Sequence, residues 1–389
     1  MHHDGDDVLL TADELTALAA TLGRQRGPLC LLPATDRPTV ASPGSIPSLD
    51  SLPAPTQAAM RETVVTLASP AKVLDVHASL ADETLTRQTL AWPATAGDDL
   101  AMINGSASDG QALSWRIGPR SPFAVRAWIR DILAADAGLP TEALNVPLPT
   151  QAVVTLLAII DHQRYARRYA ELVYEPPVVS FTPREILARL EDARVQDFRW
   201  PLLFFEKLVP PGALASYTAA SIAVGLEALR EAELLEPLTD DPVVQAGIDG
   251  LYKLLPAGDV LADTVLHEVS KVGLAVSECL PRLSGPQGGA GIGQDIVLLV
   301  RGADRLALFF VSGTSGTVAL VDPDALTTLL DGVFEMPAPE AIAASQPVIA
   351  AAAPPPAVGV AAPQFCSRCG ARIKPGSRFC SGCGAPVTG

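Results

Sequence analysis

Leu67-Ala-Ser-Pro70-Ala-Lys-Val-Leu74 and Leu254-Leu-Pro256-Ala-Gly-Asp-Val-Leu261 stand in opposite halves of a 389-residue chain and read as one motif used twice. Each follows a helix-like segment, Thr56 to Ala68 and Asp241 to Leu255, and each leads into β-rich sequence. Downstream, Asp99 to Gly105 matches Asp295 to Gly302 as a strand ending at a Gly turn. A further strand follows in each case, Ala112 to Ile117 and Arg305 to Val311. Ser121-Pro122 and Asp322-Pro323 then open a closing helix, each with a capping residue followed by Pro at the first helical position. The shared order is helix, several antiparallel strands, helix. It predicts an α+β fold: an internally duplicated, pseudo-twofold antiparallel β-sheet with flanking helices.

Residue periodicity supports the strands. In Val73 to Leu80, Leu74, Val76, Ala78 and Leu80 share one face, while Asp75, His77 and Ser79 share the other, which reads as a solvated edge. Ile296 to Val300 is continuously apolar, as a central strand should be. Thr150 to Tyr174 reads as one long helix linking the halves, apolar in front (Val153, Leu156, Leu157, Ile160) and carrying Arg164, Arg167 and Arg168 among Tyr165, Tyr169 and Tyr174 behind. That Arg/Tyr cluster could hold an anion or a partner; the plainer reading is a solvated helix end with local cation–π contacts.

The expected organisation is a first α+β half over 1–149, a connecting helix over 150–175 and a second half over 176–335. A winged-helix-like helical insert occupies 181–236 of that second half. A Pro/Ala-rich flexible linker follows over 336–364, tethering a separate C-terminal module over 365–389. The linker holds seven prolines and a single charge, so it has no periodic apolar face.

Chemistry can be named from spacing at the C-terminus alone. Cys366-x2-Cys369-Gly370 and Cys380-x2-Cys383-Gly384 are two knuckles that point four sulfurs at one tetrahedral Zn²⁺. The segment resembles the short zinc ribbons at the ends of many bacterial proteins. Four thiolates saturate the ion, so the one zinc expected is structural, and docking follows from such a site more naturally than catalysis. The ribbon's only charged side chains are Arg368, Arg372, Lys374 and Arg378.

Elsewhere the catalytic signals are absent. The run Gly285 to Gly293 lacks the Gly-Lys-Ser/Thr ending of a P-loop and stands before a strand, so it reads as a connection. His77, His162 and His267 fall in no Ser/His/Asp or His-x-x-x-His pattern. The phrase Gly225 to Leu235 resembles the last helix of winged-helix modules. Yet residues 184–236 carry six Lys/Arg against nine Asp/Glu, and Ser216 to Leu229 has no basic side chain, which argues against DNA reading. A net charge of −15 argues the same for nucleic acid and anionic membranes generally. Val153 to Ile160 is too short to span a bilayer, the opening Met1 to Asp7 lacks a signal peptide's apolar core, and only Cys30 and Cys279 lie outside the tail. The expectation is a cytoplasmic protein with no membrane insertion.

Four features together, Leu10 to Leu18, the helix before Pro70, the strands from Val73 to Ile117 and the helix from Pro122, resemble the ESX (type VII) secretion-associated chaperones, the EspG-like family. The resemblance implies a pseudo-twofold sheet flanked by helical bundles and a cytosolic role in binding helical secretion substrates. The ribbon is a departure from that family. The reading is therefore a non-enzymatic adaptor or chaperone with a protein partner, helical where the resemblance holds. The competing readings are a DNA-binding transcription regulator and an enzyme with a dispersed site.

Overall fold

Two meanders of four strands meet edge to edge to form the centre of one antiparallel sheet. In the computed structural model the first half runs β1 (His2–Asp4), β2 (Asp7–Thr11), α1 (Ala12–Thr21), α2 (Ala54–Ala68), β3 (Lys72–Leu80), β4 (Thr84–Trp92), β5 (Leu100–Ser106), β6 (Ser114–Arg120) and α3 (Pro122–Ile132). The second runs β7 (Leu144–Pro149), α4 (Thr150–Val173), α5 (Pro183–Asp192), α6 (Pro201–Glu206), α7 (Ala219–Glu231), β8 (Leu235–Pro237), β9 (Tyr252–Leu254) and α8 (Pro256–Leu266). It then continues through β10 (Ser270–Leu280), β11 (Gly291–Arg301), β12 (Leu306–Ser312), β13 (Ser315–Leu320) and α9 (Pro323–Phe334). The structure describes residues 2–336, apart from 5–6, 24–25, 34–52, 81–83, 94–98, 107–113, 136–138, 140–143, 193–199, 240–249 and 281–290. Packing divides the chain into a unit Met1–Pro347 and a second unit Val348–Gly389. Cys366, Cys369, Cys380 and Cys383, most of the Gly285–Gly293 run and the 337–364 part of the linker lie outside the described residues.

The strand order is β1-β2-β6-β5-β4-β3-β10-β11-β12-β13-β7, and β8-β9 form a separate hairpin. Apart from β1, which has no counterpart among the described residues, the order is symmetric about the β3–β10 seam, where Leu80 pairs with Ser270 and Lys72 with Glu278. Strand, helix, helix, four-stranded meander and closing helix recur in both halves. The duplication therefore holds, but its register is not the one the prolines imply. Pro70 follows α2, whereas Pro256 opens α8, so the equivalent units are α2–β3 and α8–β10. Asp99 to Gly105 lies on β5, whose counterpart is β12, not β11. Proline punctuates helices at both ends, which makes the two motifs look alike while serving opposite functions.

The long helix is also differently placed. It follows β7, which pairs with β13 at the far edge of the second half. Residues Ala152 to Asp161 of α4 are buried among α5, α6, α7 and the second half of the sheet. α4 is the centre of the second half's helical layer and not a bridge between halves. Among the described residues no helix is long and apolar enough to cross a membrane.

Alternation sorts the strands onto two cores. On one face Leu74, Val76, Leu90, Val272, Leu274 and Leu299 pack under α3 and α9, joining both halves in one cluster. On the other face the halves are covered separately: α1 and α2 over Ile103 and Ile117, and α4 to α8 over Ile296, Leu298 and Phe309. Caps set the helix starts. Thr11 and Glu14 form a capping box, and Asp322 Oδ1 accepts the Ala325 N–H at 2.7 Å.

Gly225 sets how closely α7 approaches α4. A Cβ there would collide with Thr155 Oγ1 and stand 2.9 Å from the Gln151 carbonyl. Gly225→Val should therefore lower stability by about 1–3 kcal/mol in urea melts. Gly332, on α9 with open space around its Cα, is the control: Gly332→Ala should raise stability by about 0.5–1 kcal/mol. Equal effects at the two glycines would refute this account of the α4–α7 contact.

Candidate functional site

α4 changes character along its length. From Ala152 to Ile160 it is buried and, but for Thr155, apolar on every side; its last turns alternate Arg, Tyr and Ala and emerge from the core. Tyr165 and Tyr169, one turn apart, stack with ring centroids 6.3 Å apart and planes at 16°. Arg189 of α5 lies over the Tyr165 ring at 4.4 Å, and Arg164 and Arg168 approach Trp200 at 5.5 and 5.8 Å. Each cation–π contact therefore joins the end of α4 to a residue outside it, Arg189 or Trp200, and Arg164 is buried, so this is not the solvated, locally paired helix end read from the sequence.

Beyond that stacked pair the chain exposes apolar side chains in succession. Of the fifteen exposed large hydrophobic residues among the described ones, seven lie between residues 165 and 179: Tyr165, Tyr169, Leu172, Val173, Tyr174, Val178 and Val179. Single exposed hydrophobes are ordinary on a protein surface; so many within fifteen residues are not. Sequence reading found the tyrosines but missed Val178 and Val179. The usable signal was Pro176-Pro177, which ends the helix and leaves the two valines no helical face to join.

Tyr174 is the strained residue of this ridge. It caps α4 with φ 58° and ψ 37°, the left-handed conformation that favours Gly or Asn, and its backbone N–H reaches the Ala170 carbonyl. Its side chain is 96 % exposed, so packing within the chain offsets none of that cost.

A cavity of about 560 Å³ adjoins the ridge and shares Arg167 and Val179 with it. Its other walls come from the β8–β9 hairpin (Glu236, Lys253) and from α8 (Asp259, Asp263).

Buried ionisable groups lie behind the ridge. Asp161 Oδ2 accepts the Leu202 N–H at 3.2 Å, while its Oδ1 has no partner. Arg164 stands 3.5 Å from Glu268, whose carboxylate also pairs with the fully buried Lys271. Burial, opposed by the Leu202 hydrogen bond and Arg164, pushes the Asp161 pKa up to about 7. Burial likewise lowers that of Lys271, against the pull of Glu268. These groups fasten α4 and α6 to β10.

His77 corrects the sequence reading. It is 4 % exposed, not solvated, because β3 lies at the seam and not at an edge. Gly273 stands opposite it, Phe204 of α6 covers it with ring centroids 6.3 Å apart, and neither ring nitrogen has a partner. Burial, then the Arg87 charge, pushes its pKa down to about 4. His267 differs: it is exposed beside Asp263 at 3.4 Å.

Among the described residues α5, α6 and α7 are followed by the β8–β9 hairpin, whose second strand lies beyond residue 236, and Phe181 is bridged to Tyr252. However, α7 buries Ile222, Leu226 and Leu229 and exposes Ala219, Ala220, Ala223 and Val224. Arg230, its one basic residue, is held by Glu227.

Residues 365–387 match a family model described as a zinc-ribbon domain, the stretch that carries the two Cys-x-x-Cys-Gly knuckles. No curated protein matches the chain. Among solved structures the chain is similar to one in the complex of the Mycobacterium tuberculosis type VII secretion system chaperone EspG5 with a PE25–PPE41 dimer. The likeness has 10 % identity and a TM-score of 0.34, over 88 % of this chain and 97 % of that one.

Two outcomes are expected from these sites. First, Tyr174→Gly should raise folding stability by about 1 kcal/mol by relieving the left-handed strain, measured by urea melts. A loss of stability would show that Tyr174 packs. Second, the buried pair should oppose each other in pH dependence. His77 contributes stability present above its unfolded pKa of 6.5 and lost as pH falls towards about 4. Asp161 contributes stability present below its unfolded 3.8 and lost as pH rises through about 7. Relative to the parent, His77→Gln should therefore gain stability on acidification and Asp161→Asn on alkalinisation. Parallel profiles would refute both assignments.

Proposed function

We propose that this protein is a cytoplasmic, non-enzymatic adaptor or chaperone that grips a protein partner on the ridge formed by the end of α4 and residues 174–179. One observation carries this reading: the exposed aromatic and aliphatic side chains gather at one helix end, around Tyr174, whose left-handed backbone caps α4 while its side chain stands in the open. Tyr and Arg, the residue types that dominate binding hot spots, are those present, and the stacked Tyr165–Tyr169 pair leaves little rotamer entropy to lose on binding. An apolar face of an amphipathic helix fits such a ridge. The layout's resemblance to ESX secretion-associated chaperones points to helical secretion substrates as the partner class.

The tail completes the proposal. Cys366, Cys369, Cys380 and Cys383 form a donor set of four soft thiolates suited to one Zn²⁺ with no open position, so the ion would fold the ribbon and leave no site for chemistry. With Zn²⁺ and four thiolates counted as −2, the four basic residues leave the ribbon at about +2, a docking module that the 336–364 linker would carry.

The test is site-specific photo-cross-linking of the full chain in its native cell. A benzophenone side chain at position 172 or 174 should give discrete protein adducts. The same group at 328, exposed on α9 across the sheet, should give none. Val178→Asp should abolish the adducts. Adducts at all three positions alike, or at none of them, would sink the docking reading.

A further inference from the structure

A β-ladder beside the ridge stops one pair short. The Phe181 N–H donates to the Tyr252 carbonyl and the Tyr252 N–H to the Phe181 carbonyl, both at 2.9 Å, which makes them a hydrogen-bonded antiparallel pair. Continuing that register sets Ser180 opposite Lys253 and Val179 opposite Leu254. On the other side of β9, the Leu251 carbonyl and the Leu255 N–H bond to Leu238 and Leu234, at 2.7 and 2.9 Å. Alternation therefore turns the N–H and C=O of Leu254 the same way as those of Tyr252, towards Val179. Neither group of Leu254, a residue only 5 % exposed, has a hydrogen-bond partner among the described residues. The cavity of about 560 Å³ lies here, with both Val179 and Leu254 in its wall.

The residues on both sides fit one more pair. Period-2 alternation assigns Val179 to the face of Phe181, and Leu254 to that of Tyr252. Phe181 and Leu254 are buried in the second half's core, whereas Val179 stays 54 % exposed. A buried N–H and C=O without partners cost free energy that the Val179 backbone would recover, and covering its side chain adds to the gain. The ladder could run no further. Its next hydrogen-bonded pair would be Pro177 with Pro256, and neither has an N–H. The segment between is fastened at both ends, by the Tyr174 N–H on the Ala170 carbonyl and by the Phe181 bridge. Only residues 175–180 have to move.

We infer that residues 175–180 are a strap with two seats. One is the open seat of this structure. In the other, Val179 and Leu254 exchange backbone hydrogen bonds and Val179 closes over the cavity. Closure withdraws Val178 and Val179 from the ridge, so the strap regulates the surface that grips the partner. A partner seated on the ridge holds the strap open through its differential affinity for the two seats. That regulation rests on the docking proposal; the existence of the closed seat does not, and is tested without a partner.

Paired cysteines in the full chain read the two seats, with disulfides formed in a glutathione buffer and located by peptide mass mapping. Val178→Cys with Leu255→Cys is a non-hydrogen-bonded pair that only closure creates, and it should form a disulfide. Ser180→Cys with Lys253→Cys, beside the existing bridge, should form one in either seat and so reports that the chain is folded. Val178→Cys with Asp259→Cys, one turn further along α8, should react about tenfold more slowly than the 178–255 pair, because closure in register does not bring 178 there. Adding Val179→Asp should slow the 178–255 disulfide about tenfold, since the closed seat would bury the charge, and should spare the 180–253 one. No 178–255 disulfide in a chain that forms 180–253, equal rates at 255 and 259, or indifference to Val179→Asp would each overturn the strap. A benzophenone at 172, in a lysate of the native cell, reads the ridge separately. In the 178–255 variant its adducts should fall about tenfold on oxidation and return on reduction. Adducts indifferent to the disulfide would overturn the regulation. A 178–255 disulfide in a chain that gives no adducts even when reduced would remove the ridge and leave the strap.

Discussion

The nine-pair seam between β3 and β10 is the contact on which the structure depends. Each meander closes a core of its own on one face, but on the other face the two share one. Joined antiparallel through Val76–Leu274 and their neighbours, they present one continuous apolar face to α3 and α9, and the two closing helices share a single cluster. The seam also buries two lysines, one for each face. Lys72 reaches Glu278 at 3.2 Å and lies 4.9 Å from the Trp92 ring centre; Lys271 pairs with Glu268 and lies 5.3 Å from Phe204. Each cation is matched by a carboxylate and an aromatic ring, the condition under which a buried charge is tolerated.

The seam explains why the far face is uneven. There the two halves are covered by separate helical layers, and among the described residues α5 to α7 and the β8–β9 hairpin stand between the first two helices of the second half, α4 and α8. α4 must serve both those elements and the sheet, so its front is apolar all round but for Thr155 while its end runs out past the core. The proposed docking ridge and the neighbouring cavity both arise from this asymmetry. Among the described residues the first half shows no counterpart: α1 is ten residues long and packs over its own strands.

Much of the fold was legible because periodicity and caps are local. Ser121-Pro122 and Asp322-Pro323 do open the paired helices α3 and α9, and Ile296 to Val300 is a doubly covered strand. Proline gave the wrong register for the duplication, because a post-helix Pro70 and a helix-opening Pro256 share the same neighbours in sequence. The polar face of β3 misled for a related reason. Alternation separates the two sides of a strand, but it does not say whether the polar side meets water or, as at His77, another helix.

By itself the sequence determined the class of the fold, its internal duplication and the cysteine spacing that matches the zinc-ribbon model, because each rests on residues near one another in the chain. Only the tertiary structure decided which strand pairs with which. It also decided that His77 and Lys271 are buried, that Tyr174 is held left-handed in the open, and that Val179 and Leu254 line one cavity. Burial and unpaired polar atoms depend on what segments distant in sequence bring to one place, and no local pattern encodes that.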